Sequence, residues 1–201
     1  MNFLGLDTSG DYLNVIACKN DECVVRYDKD CIRSHSVRLM EEVDASLSAL
    51  QMKPTECDFF AVVVGPGSFT GIRIGISTVK GLCLATGKPA LQVTSFDVLA
   101  YAEREEKLLA VIDAGHGYTY LAGYENRTVT IPPQYCSNEQ AELYVQAGYR
   151  MIDCNRSDPA KGFLEAVRAK YNEAGDSGAL AALYLRKSSA EENANKKESL
   201  Q

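Results

Sequence analysis

Apolar positions change period several times along the chain, and each change marks an element. Residues 2–6 form a short apolar run stopped by Asp7-Thr8-Ser9-Gly10, and runs at 12–18 and 24–27 follow, joined by Asn20-Asp21. Short apolar runs bounded by turn residues predict a meander of three strands. From Ser34 or Ser36 the period lengthens, with Val37, Met40, Val43, Leu47 and Leu50 on one face of a helix predicted to reach about residue 52, where Pro54 enforces its end. Residues 59–64 are apolar without alternation, which suits a strand covered on both faces. A glycine-proline loop follows, then a helix predicted over 68–86 and closed by Gly87 and Pro89. A strand at 91–93 leads to a helix over 96–102, capped by Thr94 or Ser95. A second unit opens with a strand at 107–113 and a turn at Gly115-His116-Gly117. The returning strand carries Tyr118, Tyr120, Ala122 and Tyr124 on one side. Beyond Pro132-Pro133 only short helices near 138–147 and 159–172 are legible, and the polar end from about 188 is expected to be disordered.

Two segments stand out. In the 68–86 helix, Ile72, Ile74, Ile76, Val79, Leu82, Cys83, Leu84 and Ala85 spread around most of the circumference, while Arg73, Ser77 and Lys80 share a narrow polar strip. One sheet does not cover that much apolar surface, so the helix is either clamped between its own sheet and the 34–51 helix or shared with a partner. Gly71, Gly75 and Gly81 lower its profile. Before it, Gly65 and Gly67 flank Pro66, and the loop admits three readings: anion cradle, close-packing joint or tight turn. No Lys-Ser or Lys-Thr follows at P-loop distance, and the glycine spacing is not the dinucleotide pattern.

Composition narrows the function classes. The 201 residues, 46% hydrophobic, suffice for one large domain or two small lobes. A net charge of -6 argues against a stand-alone nucleic-acid binder, because phosphate neutralisation needs a basic surface. The N-terminus reaches Asp7 too early for a secretory segment and no run spans a membrane, so a soluble cytoplasmic protein is expected. Cysteines at 18, 23, 31, 57, 83, 136 and 154 are odd in number, contain no CxxC pair and fall partly in apolar runs. Reduced thiols are expected.

A strand followed by Asp7-Thr8-Ser9, a meander, a helix opened by His35-Ser36, and a strand leading into Gly65-Pro66-Gly67-Ser68-Phe69-Thr70-Gly71-Ile72-Arg73-Ile74-Gly75 form one set with a second strand ending in Asp113. Together they resemble the TsaB family, also called YeaZ. The resemblance covers residues 1–125, and 182–186 (Ala-Leu-Tyr-Leu-Arg) match its close; the Asp113-Ala114-Gly115-His116-Gly117 stretch departs from the family's usual Asp-Ala-Arg. It implies an actin-like α/β fold of the ASKHA, ribonuclease H-like class in two lobes, here 1–103 and a smaller 104–187, before a 188–201 tail. It also implies a noncatalytic subunit that helps a TsaD-type paralogue make threonylcarbamoyladenosine at tRNA position 37. A TsaE-type ATPase is a further implied associate, tRNA is met only through the complex, and a homodimer can mask the same helices. The implied partner face comprises His35, Val37, Met40, Phe69, Ile72, Arg73, Gly75, Ile76, Val79 and Lys80.

The chemistry readable from the residues is sparse. Asp7 and Asp113 each end a strand at the head of a lobe, where superfamily enzymes hold magnesium and phosphate. With Thr8, Ser9, Gly65 and Gly67 they would make a vestigial nucleotide site, and the alternative function is an ATP- and magnesium-dependent phosphotransferase. The competing reading is that aspartate and serine after a strand simply close a turn. No intrinsic cofactor is expected, and a nucleotide at the subunit joint is left open. The chain has only His35 and His116, and Leu39 stands one helical turn after the first, so no metal site is expected. No Gly-x-Ser-x-Gly elbow is present.

Overall fold

The computed structural model describes residues 1–31 and 34–186. The tail expected to be disordered lies outside them. Two sheets carry the fold, and the first has the order β3-β2-β1-β4-β5. Strands β1 (Phe3–Asp7), β2 (Leu13–Lys19) and β3 (Glu22–Asp28) form the expected antiparallel meander. β4 (Phe59–Val63) and β5 (Ala90–Val93) add on the other side of β1 in parallel, which requires crossovers by helices.

Those helices explain the unbroken apolar run at residues 59–64. α1 (His35–Ala49) and α2 (Phe69–Thr86) cover one face through Leu39, Val43, Leu47, Ile72, Ile76 and Val79, against Leu4, Leu6, Phe60 and Val62. α3 (Ser95–Ala102) and α5 (Pro159–Lys170) cover the other through Val98, Phe163, Ala166 and Val167, against Phe3, Ile16, Ala61 and Val63. Odd and even positions of the central strands are thus both buried. α2 starts at Ser68, whose hydroxyl accepts from the Gly71 amide, and stops at Gly87 in the left-handed region (φ 71°).

The second sheet, β8-β7-β6-β9, repeats the β3-β2-β1-β4 order. β6 (Lys107–Gly115), β7 (Tyr118–Glu125) and β8 (Thr128–Ser137) form another meander, α4 (Asn138–Gln146) follows, and β9 (Arg150–Ile152) pairs with β6 in parallel. α5 then crosses back to the first sheet. It approaches α3 closely at Gly162, where a Cβ would overlap the Val98 carbonyl oxygen. A buried carboxylate pins this crossing. Asp97 accepts from the Thr94 amide and hydroxyl (2.9 and 2.8 Å), from Tyr124 (3.0 Å) and from Lys170 (3.0 Å), joining α3, β7 and α5. Burial works against the Lys170 ammonium, but the Asp97 carboxylate outweighs it and the lysine pKa is raised.

The expectation that all thiols are reduced is corrected at one pair. Cys18 and Cys23 stand directly opposite on β2 and β3 with Cα atoms 4.1 Å apart and are joined as a disulfide, because the tight Asn20-Asp21 turn fixes the register that makes them face each other. Cys31, Cys57, Cys83, Cys136 and Cys154 are free.

Candidate functional site

The carboxyl ends of β1 and β4 meet the start of α2, where ligands settle in open α/β sheets. Here the chain's own backbone fills that place. The Ser68 amide donates to the Ser9 carbonyl (2.7 Å) and the Ser95 amide to the Gly65 carbonyl (2.8 Å). The Thr8 hydroxyl donates to the Gly71 carbonyl (2.7 Å). A Cβ on residue 67 would overlap the Ser9 carbonyl oxygen, one on residue 71 the Thr8 carbonyl oxygen, and one on residue 75 would lie 2.7 Å from the Thr8 hydroxyl. Gly65 and Gly67 also hold φ of 103° and 159°, around a cis Gly65-Pro66 bond. Of the three readings of the loop, close-packing joint is the observed one.

Asp7 is fully buried and turned inward. One carboxylate oxygen accepts from the Ser9 amide (2.9 Å) and hydroxyl (2.7 Å), the other from Tyr12 (2.9 Å). Burial raises the Asp7 pKa, and the hydrogen bonds from Ser9 and Tyr12 only partly oppose it. The Tyr12 phenol is driven well up by burial and by the Asp7 charge. Beside Asp7 across the sheet, Asn14 is wholly buried and its side-chain amide has no hydrogen-bond partner among the described residues, a cost of about 1–3 kcal/mol. Asp113 is different: it is exposed, and its carboxylate accepts from the Gly115 amide (2.8 Å) in a local turn. His116 is exposed at the hairpin tip with φ 57°. Among the described residues no group of three or more His, Cys, Asp or Glu is arranged to hold a metal.

The helix face is sorted differently from the sequence reading. His35 is buried, and its Nε2 donates to the Tyr12 carbonyl (2.9 Å), so it braces the β1–β2 loop and is withdrawn from the partner face. Ile72 and Val79 are also withdrawn, at 1% and 0% exposure. Gly71 and Gly75 let α2 sink onto the sheet until these side chains join the core. Ile76 keeps 9%, and Gly75 is buried against Thr8 and Val62. Val37 and Met40 do not share the buried stripe of α1, which runs through His35, Leu39, Val43 and Leu47. They point outward at 71% and 47% exposure, and Phe69 at 46%. Lys80 is half-buried on the flank of α2.

Arg73 is not a free rim charge. Its guanidinium lies 3.7 Å over the Phe69 ring and donates to Tyr184 (3.1 Å), whose ring stacks on Phe69 at 5.4 Å. Tyr184 belongs to a C-terminal strap that returns to the glycine loop, where the Leu183 amide donates to the Val64 carbonyl (2.8 Å). Nothing local in the sequence signals this contact. Nor does residue order signal the long-range contacts of Tyr12 with His35, of Ser95 with Gly65, or of Asp97 with Tyr124 and Lys170.

Comparison with known proteins places this geometry. The family model for TsaD, tRNA N6-adenosine threonylcarbamoyltransferase, matches residues 29–196. The tRNA threonylcarbamoyladenosine biosynthesis protein TsaB of Bacillus subtilis is 32% identical over 127 residues, 62% of this chain and 56% of that protein. TsaB of Escherichia coli is 33% identical over 129 residues, 62% and 55% of the two chains. The chain belongs to the TsaD family, in its TsaB (YeaZ) branch. The matched stretch thus spans a little over half of each of these two TsaB proteins. A Pseudomonas aeruginosa protein described as similar to peptidase YeaZ superposes over 92% of this TsaB-branch chain and 99% of its own at a TM-score of 0.80, with 25% identity. YeaZ from Pseudomonas aeruginosa does so over the same shares at 0.78, with 22% identity, a likeness of fold. The two-sheet architecture is the actin-like one of this branch.

Two outcomes follow for the joint of this TsaB-branch chain. Gly71→Ala should lower unfolding free energy by about 2 kcal/mol or more through overpacking, while Gly81→Ala, with nothing within 4 Å of its Cβ, should raise it by about 0.5–1 kcal/mol in urea titration. For Asp7, the raised folded pKa means that the unfolded state ionises first. Its ionisation therefore erodes stability as pH rises from the ordinary carboxylate value through the folded one. Asp7→Asn should gain on wild type between pH 4 and pH 7; a difference that is flat or reversed over that range would refute the assignment.

Proposed function

We propose that this chain is the noncatalytic, activating subunit of a tRNA threonylcarbamoyladenosine (position 37) modification complex, engaging a TsaD-type catalytic subunit through the outer faces of α1 and the start of α2. The observation that carries the reading is the exposure of Val37, Met40 and Phe69 at the starts of two adjacent helices whose opposite faces are sunk into the core, with Leu84 a separate exposed apolar side chain near the far end of α2. Exposed aromatic and aliphatic side chains beside an ordered arginine are what well-packed protein contacts use, and Phe69-Arg73-Tyr184 supplies that group. The inward commitment of Asp7 supports a supporting role over a chemical one. The family match and the pathway named for the relatives support a role in threonylcarbamoyladenosine modification. In this reading the partner performs the transfer to adenine, a TsaE-type ATPase associates, and a homodimer uses the same helices when the partner is absent. The compartment is cytoplasmic, and no helix among the described residues is long and apolar enough to cross a membrane.

The rival, an ATP- and magnesium-dependent phosphotransferase, draws on one observation, the unpartnered Asn14 amide beside Asp7. It requires Asp7 to surrender three donors, and an exposed Asp113 to act with it.

Val37→Asp with Met40→Asp tests the leading reading. Both positions face outward, so melting should shift little, while association with the TsaD-type subunit should weaken at least about 30-fold, the size of a ~2 kcal/mol hot spot, and tRNA modification in the reconstituted system should fall with it. Undiminished association and modification would sink the proposal.

A further inference from the structure

The described arginines divide by what they hold. Arg26, Arg38, Arg150, Arg156 and Arg168 each meet a carboxylate, Arg73 meets the Tyr184 hydroxyl, and Arg186 lies over the Tyr135 ring. Arg104 and Arg127 meet no carboxylate or hydroxyl among the described residues, and both line one open cleft of about 440 Å³ with Glu105, Asn126 and Glu165. The two acids of that cleft are already committed, Glu105 to Arg150 and Glu165 to Arg168 at 3.4 Å. Two guanidiniums are therefore left as the unspent groups of the cleft.

Their placement is built by the fold. Arg104 follows the end of α3 at Ala102, whose carbonyl is taken by the Lys161 ammonium of α5 (2.8 Å). Arg127 is the second residue of the two-residue β7–β8 turn, and both Asn126 and Arg127 hold positive φ, 49° and 64°. Glycine is the usual occupant of the second position, and a non-glycine residue there costs about 1–2 kcal/mol. In return Arg127 meets, among the described residues, the face of Tyr101, 5.0 Å from its guanidinium carbon. A strained turn that presents an arginine with no acceptor points to an acceptor from outside.

We propose that this cleft seats phosphodiester groups of RNA, with Arg104 and Arg127 as the donors. The guanidinium fork matches phosphate oxygens in pairs. A single small anion gains little from two exposed cations in water, whereas a polymer brings several phosphates and releases counterions as it binds. With a net charge of -6 the chain has no general attraction for RNA, so the contact is local and supplements an RNA site on the partner. The inference rests on the proposed function for its partner and its substrate, and goes beyond it in giving this chain its own contact with tRNA.

The test is tRNA binding by fluorescence anisotropy across a salt series, on the chain alone and on its complex with the TsaD-type subunit, for wild type, Arg104→Glu with Arg127→Glu, and the matching lysine pair. The glutamate pair should weaken binding about tenfold near 0.1 M salt and lower the slope of log affinity against log salt by about 1–2. The lysine pair should keep most of both, with melting and subunit association unchanged. Unchanged affinity and slope in the glutamate pair would overturn the proposal, and so would loss of subunit association, which would make the cleft a protein contact. If wild type itself fails to join a TsaD-type subunit, the proposed function falls separately, and the same variants on the isolated chain decide the RNA seat.

Discussion

The Ser9 and Thr8 carbonyl oxygens occupy the space that side chains on residues 67 and 71 would need, and most of the first lobe follows from that contact. It presses the start of α2 against the end of β1, so that Ile72, Ile76 and Val79 descend into the core rather than facing a partner. It also consumes the polar groups at this end of the sheet: the Ser68 amide is held by Ser9, the Thr8 hydroxyl by Gly71, and the Asp7 carboxylate by Ser9 and Tyr12. A glycine-rich loop at the carboxyl end of a parallel strand usually invites a ligand. In this chain the same freedom of approach is spent on backbone.

The two sheets share one order and one sequence of meander, helix and parallel strand, yet they end differently. After β4, α2 lies on its own sheet, whereas after β9, α5 leaves its sheet and closes the far side of the first. The Asp97 network at this crossing and the C-terminal strap at the glycine loop then lock the sheets together. Among the apolar side chains left facing solvent are Val37, Met40 and Phe69 on the outer surface of α1 and the start of α2.

Much of this was legible from residue order. The meander, both long helices, the Gly87 stop of α2 and the strand at 59–64 carry strong local signals, because period and turn residues are short-range effects; the expected serine cap of α1 is not made, since the Ser34 hydroxyl donates to the Cys31 carbonyl instead. β8 and β9 were not legible. β8 contains Pro132 and Pro133, which break a strand pattern but are tolerated at the sheet edge, where pairing with β7 shifts register around them. β9 is three residues long, too short for any period. The site was half legible: the glycines marked a close approach, but nothing in their spacing said that the approaching group was backbone. The assignment of His35, Ile72 and Val79 to a partner failed for the same reason, since an apolar or polar face names no neighbour until the packing is known.

The carboxyl ends of β1 and β4 are closed by the chain's own backbone and by the inward-turned Asp7. Amide hydrogen exchange of the free chain, with and without millimolar magnesium-ATP, tests this closure most directly. The Ser9, Ser68, Gly71 and Ser95 amides, all bonded within the joint, should exchange slowly and at rates indifferent to nucleotide. Fast exchange at these positions that magnesium-ATP suppresses would contradict the account and restore a ligand to the loop.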